Sequence, residues 1–194
     1  MSSKRLPGKT LRFIKGKTIL ERVILNLKKT KNIKKIIVST SNHFSDTKIV
    51  NFCKEKKILF TTGSLHNVAL RFRETLKKFP CKFFIRISAD SPLIDYSLID
   101  KMIRLSKKKN FDIFTNVFPR TFPKGFSVEI IKTNVFFNSY KYFKKNHKEH
   151  VSSYFYEKFE KFKIINYTSS KNLSKLNLSV DTKKDFQRIS RLIK

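Results

Sequence analysis

Tryptophan is absent from this 194-residue chain, glycine occurs only four times and cysteine only twice. Cys53 and Cys81 stand in unrelated contexts with no metal-ligand spacing, which excludes a cysteine-built metal site and leaves free thiols, the expectation for a cytoplasmic protein. Long apolar runs are missing too. Each is short and interrupted by lysine, so no segment can span a bilayer. Met1 is followed by polar residues rather than an apolar stretch, so no secretory leader is read. No internal repeat or low-complexity linker breaks the chain, and its length fits one domain over residues 1–194. Acidic side chains are also scarce, 14 against 44 Lys and Arg.

What is present is globular: 40% hydrophobic and 13% aromatic residues. The net charge of +30 points toward polyanions. Its distribution points elsewhere, because 34 lysines against 10 arginines are spread over almost every segment instead of forming one stripe. Lys, Asn, Ile and Phe are abundant, the set encoded by A/T-rich codons. Mutational drift accounts for that without a selected partner, with nonspecific polyanion binding as a side effect. No specific nucleic-acid partner is expected, and an anionic substrate fits either origin. The twenty phenylalanines sit mostly at core periodicities, so they read as packing rather than base-stacking platforms.

Apolar spacing alternates between helix and strand. Helices are predicted over 18–29, 45–56, 68–79 and 96–108, and strands over 35–40, 58–61 and 83–87. Beyond Phe111 the pattern becomes irregular, with strands at 113–114, 126–131, 164–167 and 176–180. Further helices are expected over 134–144 and 147–158 and from Lys183 onward. This succession implies an α/β sheet covered on both faces, with parallel central strands.

In such sheets ligands sit beyond the carboxyl ends of the strands. That rule selects Asp90 after strand 83–87, Gly63-Ser64 after strand 58–61, and Asp181 after strand 176–180. The opening segment Ser3, Arg5, Leu6, Pro7, Gly8 and Lys9 has the make-up of a phosphate-handling loop. Arg5 and Lys9 are cationic donors, Gly8 permits close backbone approach and Pro7 stiffens the turn. Four segments therefore point to one rim.

The motifs R-L-P-G-K, G-S-L-H-N-V-A-L-R-F, R-I-S-A-D-S-P-L-I-D, P-R-T-F-P-K-G-F-S-V-E, K-E-H-V and V-D-T-K-K-D-F occur in that order. Together they resemble the cytidylyltransferases that activate acidic sugars, such as acylneuraminate and ketodeoxyoctonate, and most of all the spore coat polysaccharide biosynthesis protein F branch. The resemblance implies a Rossmann-like nucleotidyltransferase fold, a three-layer sandwich around a mixed, mostly parallel sheet. It also implies a magnesium-dependent reaction between CTP and a sugar hydroxyl that yields a CMP-sugar and pyrophosphate in surface polysaccharide or glycan synthesis. By resemblance, Arg5 and Lys9 hold the triphosphate with Ser3 and Gly8 in the same loop, and Ser64 and Arg71 lie near the nucleotide. Asp90 and Asp181 bind the metal. Arg120, Glu129, Glu149 and His150 fall on the sugar side. The family often dimerises, which leaves a homodimer open.

The chemistry suits these residue types. Nucleotidyl transfer needs charge neutralisation and in-line positioning more than a covalent intermediate. Two hard carboxylates suit Mg²⁺, which keeps waters and phosphate oxygens in its shell. No serine or cysteine nucleophile is suggested by the spacing.

Two departures stand out. Family members carry an apolar strand ending in Gln-Ala-Arg just before the methionine matching Met1, and that first strand is absent here. It lies mid-sheet in the fold, and each buried backbone group left unpaired costs about 1–3 kcal/mol, against a total stability of about 5–15 kcal/mol. The expectation is that Met1 is an internal methionine, with a decayed copy as the alternative. Secondly, Ser127 stands where the family usually has aspartate.

Plainer readings exist for each site. Asp90 before Ser-Pro has the look of a helix N-cap, and Asp181-Thr182 with Asp185 reads as a helix start. His147 and His150 have a spacing that can ligate zinc, but no third ligand is apparent, so solvent-facing or sugar-contacting roles are expected. Glu129 alternates with Val128 and Ile130, which is equally the pattern of a surface acid. Lys107-Lys108-Lys109 is a solvated helix end. The rivals to a cytidylyltransferase are a related sugar-nucleotide-dependent glycosyltransferase, an inactive remnant, and a basic nucleic-acid-binding protein.

Overall fold

The computed structural model describes residues 5–193. A 3₁₀ turn at Lys9–Leu11 leads into a small hairpin, β1 (Phe13–Ile14) and β2 (Lys17–Thr18). Its reversal uses left-handed backbone at Lys15 and Gly16. Thr18 then opens α1 (Ile19–Lys28) through a capping box with Glu21, satisfying two amide groups reciprocally. Ile19, Leu20, Val23, Ile24 and Leu27 recur at helical spacing and are buried, so this amphipathic stripe fixes the helix against the sheet.

Strand β3 (Ile37–Ser41), helix α2 (Thr47–Glu55) and strand β4 (Leu59–Gly63) form a parallel unit in register from Ile37 opposite Leu59 to Ser41 opposite Gly63. Helix α3 (Val68–Lys78) follows, then β5 (Phe83–Arg86) and α4 (Tyr96–Ser106). The remaining strands are β6 (Ile113–Thr115), β7 (Glu129–Lys132) and β8 (Ile164–Asn166). They join β5 in the order β5-β7-β6-β8, and β7 runs antiparallel to both neighbours while β6 and β8 are parallel. The sheet is therefore mixed.

Side-chain alternation along these strands builds three layers. Ile130, Phe114, Phe83 and Ile85 face α1 and α4, packing with Val23, Leu27, Ile99 and Met102. Ile131, Ile113 and Phe84 face the other way, onto α3, α5 (Thr133–Ser139) and α7 (Ser153–Glu157), which follows α6 (Lys145–Glu149) in the chain. Because both faces are covered, consecutive residues such as Ile130-Ile131 are both apolar. The second layer is aromatic, with Phe136 meeting Phe84 and Phe143 edge-on. Helix α8 (Lys183–Leu192) closes the fold over Leu6, Ile14 and Val180.

Among the described residues β3 pairs only with β4 and β5 only with β7. Their free edges face each other across a cleft of about 1930 Å³, floored and roofed by apolar side chains of α1 and α3.

Several predicted elements take other forms. The helix expected over 134–144 is α5 plus a 3₁₀ turn at Tyr140–Tyr142. The one expected over 147–158 is two short helices, α6 and α7, broken around His150–Ser152 where Val151 plugs the core. Residues 176–180 are not a strand. Leu176, Leu178 and Val180 alternate as a strand would, but Asn177 makes a single bridge to Lys124 and no ladder forms.

Phe136 is fully buried in the aromatic layer. Phe136→Ala is expected to lower stability by about 3–5 kcal/mol, read as a lower urea midpoint at unchanged slope.

Candidate active site

Lys9 is where three distant segments meet. Gly8 at φ +68° turns the chain into the 3₁₀ segment, and buried Leu6 pins the loop to the α8 cluster. This directs the Lys9 ammonium between two carboxylates, 2.7 Å from Asp90 Oδ2 and 2.9 Å from Asp181 Oδ1. Asp90 sits on the turn after β5, and Asp181 immediately precedes the capped start of α8. Their backbones are tied directly, with Val180 N–H donating to Asp90 O at 2.9 Å. Lys124 donates to the other Asp181 oxygen at 2.7 Å, and Arg5, 69% exposed, lies 3.7 Å from Asp181.

Charge in this cluster is mutually held. Burial works to raise the Asp181 carboxyl, but hydrogen bonds and positive charge from Lys124 and Lys9 outweigh it and keep the group below the usual carboxylate range. For Lys9 burial lowers the ammonium, and Asp90 and Asp181 outweigh that to raise it above 10.5. Both directions favour the ionised cluster.

Lys124 was not among the residues singled out from sequence. The signal lay in P-R-T-F-P-K-G-F-S-V-E, where Gly125 follows it. Gly125 adopts φ +102°, and a Cβ there would lie 2.6 Å from the Leu178 carbonyl carbon. Only glycine lets loop 117–128 lie against 176–180, with Lys124 N bonded to Leu176 O and Leu178 N to Lys124 O.

A second polar cluster lies at the ends of β5, β6 and β7. Glu129, between Arg86 and Thr115 in register, is 2% exposed. It accepts from Arg86 Nη1 at 2.5 Å and from the Tyr156 hydroxyl at 2.6 Å, and Thr115 lies 3.1 Å from the same hydroxyl. Burial and the Glu129 charge push the Tyr156 hydroxyl far above its usual value. The surface-acid reading of Glu129 is thus corrected: its strand is buried on both faces, and the acid is buried because it is paired. Beside it, Arg120 reaches Ser127 Oγ at 3.0 Å and, weakly, Pro123 O at 3.5 Å. Burial lowers the Arg120 guanidinium, opposed by Glu129 and Tyr156. No carboxylate among the described residues forms an ion pair with it.

Ser64 and Arg71 come together beyond β4. Arg71 Nη1 donates to Ser64 O at 2.7 Å and to Leu65 O at 3.2 Å, and Ser64 Oγ accepts from Asn67 N–H at the start of α3. Glu149 and His150 are exposed at the end of α6, and no hydrogen bond or ion pair among the described residues links them to Asp90, Asp181 or Glu129. Ser3 and Met1 lie outside the described residues.

The N-cap reading of Asp90 is corrected: α4 is capped by Asp95, whose side chain accepts from Ser97 N–H. The helix start at Thr182 is real, with Thr182 and Asp185 forming a capping box that leaves Asp181 free to face Lys9. His147 is not solvent-facing. It is 1% exposed, accepts from Lys144 N–H and pairs with Glu157 at 2.7 Å, a role that closes α6 onto α7.

Among the described residues no group of three or more His, Cys, Asp and Glu gathers to hold a metal. The pair Asp90 and Asp181 nevertheless converges on one ammonium, so their oxygens already share a cation position. Two hard oxygens with open directions fit Mg²⁺ completed by water and phosphate.

A family model described as cytidylyltransferase matches residues 1–193. The chain belongs to the cytidylyltransferase family. As a cytidylyltransferase it is a nucleotidyl-transferring enzyme. It is 32% identical over 188 residues to the uncharacterized protein MJ1063 of Methanocaldococcus jannaschii, covering 95% of this chain and 76% of that one. It is 24% identical to the spore coat polysaccharide biosynthesis protein SpsF of Bacillus subtilis, over 99% and 82% of the two chains. A cytidylyltransferase structure from Leptospira borgpetersenii superposes with a TM-score of 0.93 at 28% identity, covering 98% of this chain and 81% of that one. No helix among the described residues is long and apolar enough to cross a membrane.

Since the folded Asp181 carboxyl lies below its ordinary value of 3.8, its ionisation stabilises the fold above that pH and the contribution fades as pH falls through the folded value. Asp181→Asn is therefore expected to melt lower than the parent at pH 7, with the gap closing below about pH 4. Thermal melts across pH 2–8 check this.

Proposed function

We propose that this cytidylyltransferase transfers CMP from CTP to the hydroxyl of an acidic sugar, releasing pyrophosphate, within surface polysaccharide or glycan synthesis. The observation that carries the reading is the convergence of Asp90 and Asp181 on one cation position, flanked by Lys9, Lys124 and Arg5. Two acids ringed by three cations suit a substrate that brings both divalent metal and polyphosphate.

In this reading Asp90 and Asp181 hold Mg²⁺, which when bound polarises the α-phosphate and lowers the pKa of the attacking hydroxyl. Lys9, Arg5 and Lys124 neutralise the polyphosphate and steady the departing pyrophosphate. The sugar oxygen forms a bond to the α-phosphorus as the bond to the β-phosphate oxygen breaks, and the hydroxyl proton passes to solvent. Arg120 takes the acceptor's carboxylate. Its nearest polar partner is the neutral Ser127 hydroxyl, and among the described residues its charge is not spent on an ion pair. The buried Arg86–Glu129–Tyr156 network holds the strand ends rigid beside it.

Pyrophosphate release with CTP, Mg²⁺ and a panel of acidic sugars is the test. Release is expected with at least one acidic sugar, and Asp90→Asn should reduce it on the order of 10²–10³-fold. Release undiminished in Asp90→Asn would sink the assignment of the site. Salt-sensitive duplex binding without any CTP-dependent thermal shift would favour polyanion binding instead.

A further inference from the structure

The Lys9 side chain stands where a divalent cation would stand. Its ammonium bonds one oxygen of Asp90 and one of Asp181, so those two oxygens are no farther apart than the two bonds laid end to end. Lys124 differs. It touches Asp181 alone, at the opposite oxygen, and its side chain is 52% exposed where that of Lys9 is 16%. One lysine sits between the acids and the other leans on the outside.

We propose that Lys9 is a built-in counter-ion that occupies the metal position of the ligand-free enzyme and exchanges with the divalent cation when the triphosphate arrives. The proposal rests on the CTP reading above and adds a coupling mechanism to it. Two cations cannot share one position, so a metal bridging both acids displaces the ammonium. The backbone under Lys9 is fixed by Leu6 and Gly8, but four side-chain torsions let the ammonium swing away. Once displaced it needs an anion, and among the described residues the cluster has none to spare, because Asp181 and Asp90 then serve the metal. The incoming triphosphate supplies that anion. Metal alone therefore displaces an ammonium into an unpaired position, whereas metal with triphosphate gives every charge a partner. Binding of the two ligands is positively coupled, and by linkage the coupling is the same in either direction.

The test is Mn²⁺ binding to the full-length protein, followed by the electron paramagnetic resonance signal of free Mn²⁺, without and with saturating CTP. The variants are Lys9→Met, Lys9→Gln and Lys124→Met, each checked for folding by circular dichroism. Without CTP both Lys9 variants are expected to bind Mn²⁺ about tenfold more tightly than the parent, and the strengthening by CTP should shrink by a similar factor. Lys124→Met removes the same charge without vacating the bridging position, so its gain should be markedly smaller. Equal Mn²⁺ affinity in parent and Lys9 variants overturns the proposal, as does an equal gain in Lys124→Met, which would reduce the effect to bulk charge. The two readings separate cleanly. Tighter Mn²⁺ binding in Lys9→Met with no CTP binding by any form supports the counter-ion and refutes the CTP reading. CTP-dependent pyrophosphate release with no Mn²⁺ gain does the reverse. Should Lys9→Met fail to fold, Lys9→Gln, which keeps polar reach without charge, gives the same readout.

Discussion

A single ammonium held between two carboxylates organises this molecule's working end. Lys9 bridges Asp90 and Asp181, and without that bridge two acids from separate turns would face each other across a partly buried gap. Burial makes such charges costly, and opposite charge at hydrogen-bond distance offsets the cost. The Val180–Asp90 backbone bond fixes the spacing beneath them. Lys124 joins the same cluster from a loop that backbone hydrogen bonds to Leu176 and Leu178 hold against residues 176–180. The cluster is thus where the opening loop, the β5 turn, loop 117–128 and the approach to α8 come together.

The scaffold behind it works by alternation. β5, β6 and β7 present successive side chains to opposite helical layers, which makes the strands rigid carriers for the residues at their ends. Glu129 shows the consequence. It ends up buried among strands that are apolar on both faces, and it is tolerated there because Arg86 and Tyr156 satisfy it. On the other side the facing edges of β3 and β5 leave a wide apolar cleft. Unpaired strand edges are a liability for aggregation, and here both are recessed between α1 and α3.

Elements with strong local signals were legible in the chain. α1, α3, α4 and α8 match their apolar periodicity to within a few residues, because helix hydrogen bonds are local and a capping side chain (Thr18, Asn67, Asp95 or Thr182) marks the start. Failures fell where the deciding partner is remote. Leu176, Leu178 and Val180 alternate convincingly, yet a strand needs a ladder and only Asn177 finds a bridge. His147 reads as a polar helix residue, yet it pairs with Glu157, which one continuous helix would hold about 15 Å away along its axis. Lys124 is one of 34 lysines, and its one local mark, the glycine that follows it, gains meaning only once Gly125 is seen packed against Leu178.

Residue order alone determined the alternating α/β plan and the family, because periodicity and motif spacing are properties of neighbours in the chain. Only the tertiary structure decided which cations answer Asp90 and Asp181, that Glu129 is interior rather than surface, and that Arg120 keeps a neutral companion. Those outcomes depend on distances between residues far apart in sequence. Electrostatic pairing falls off with distance and changes with burial, and neither quantity exists until the chain has folded.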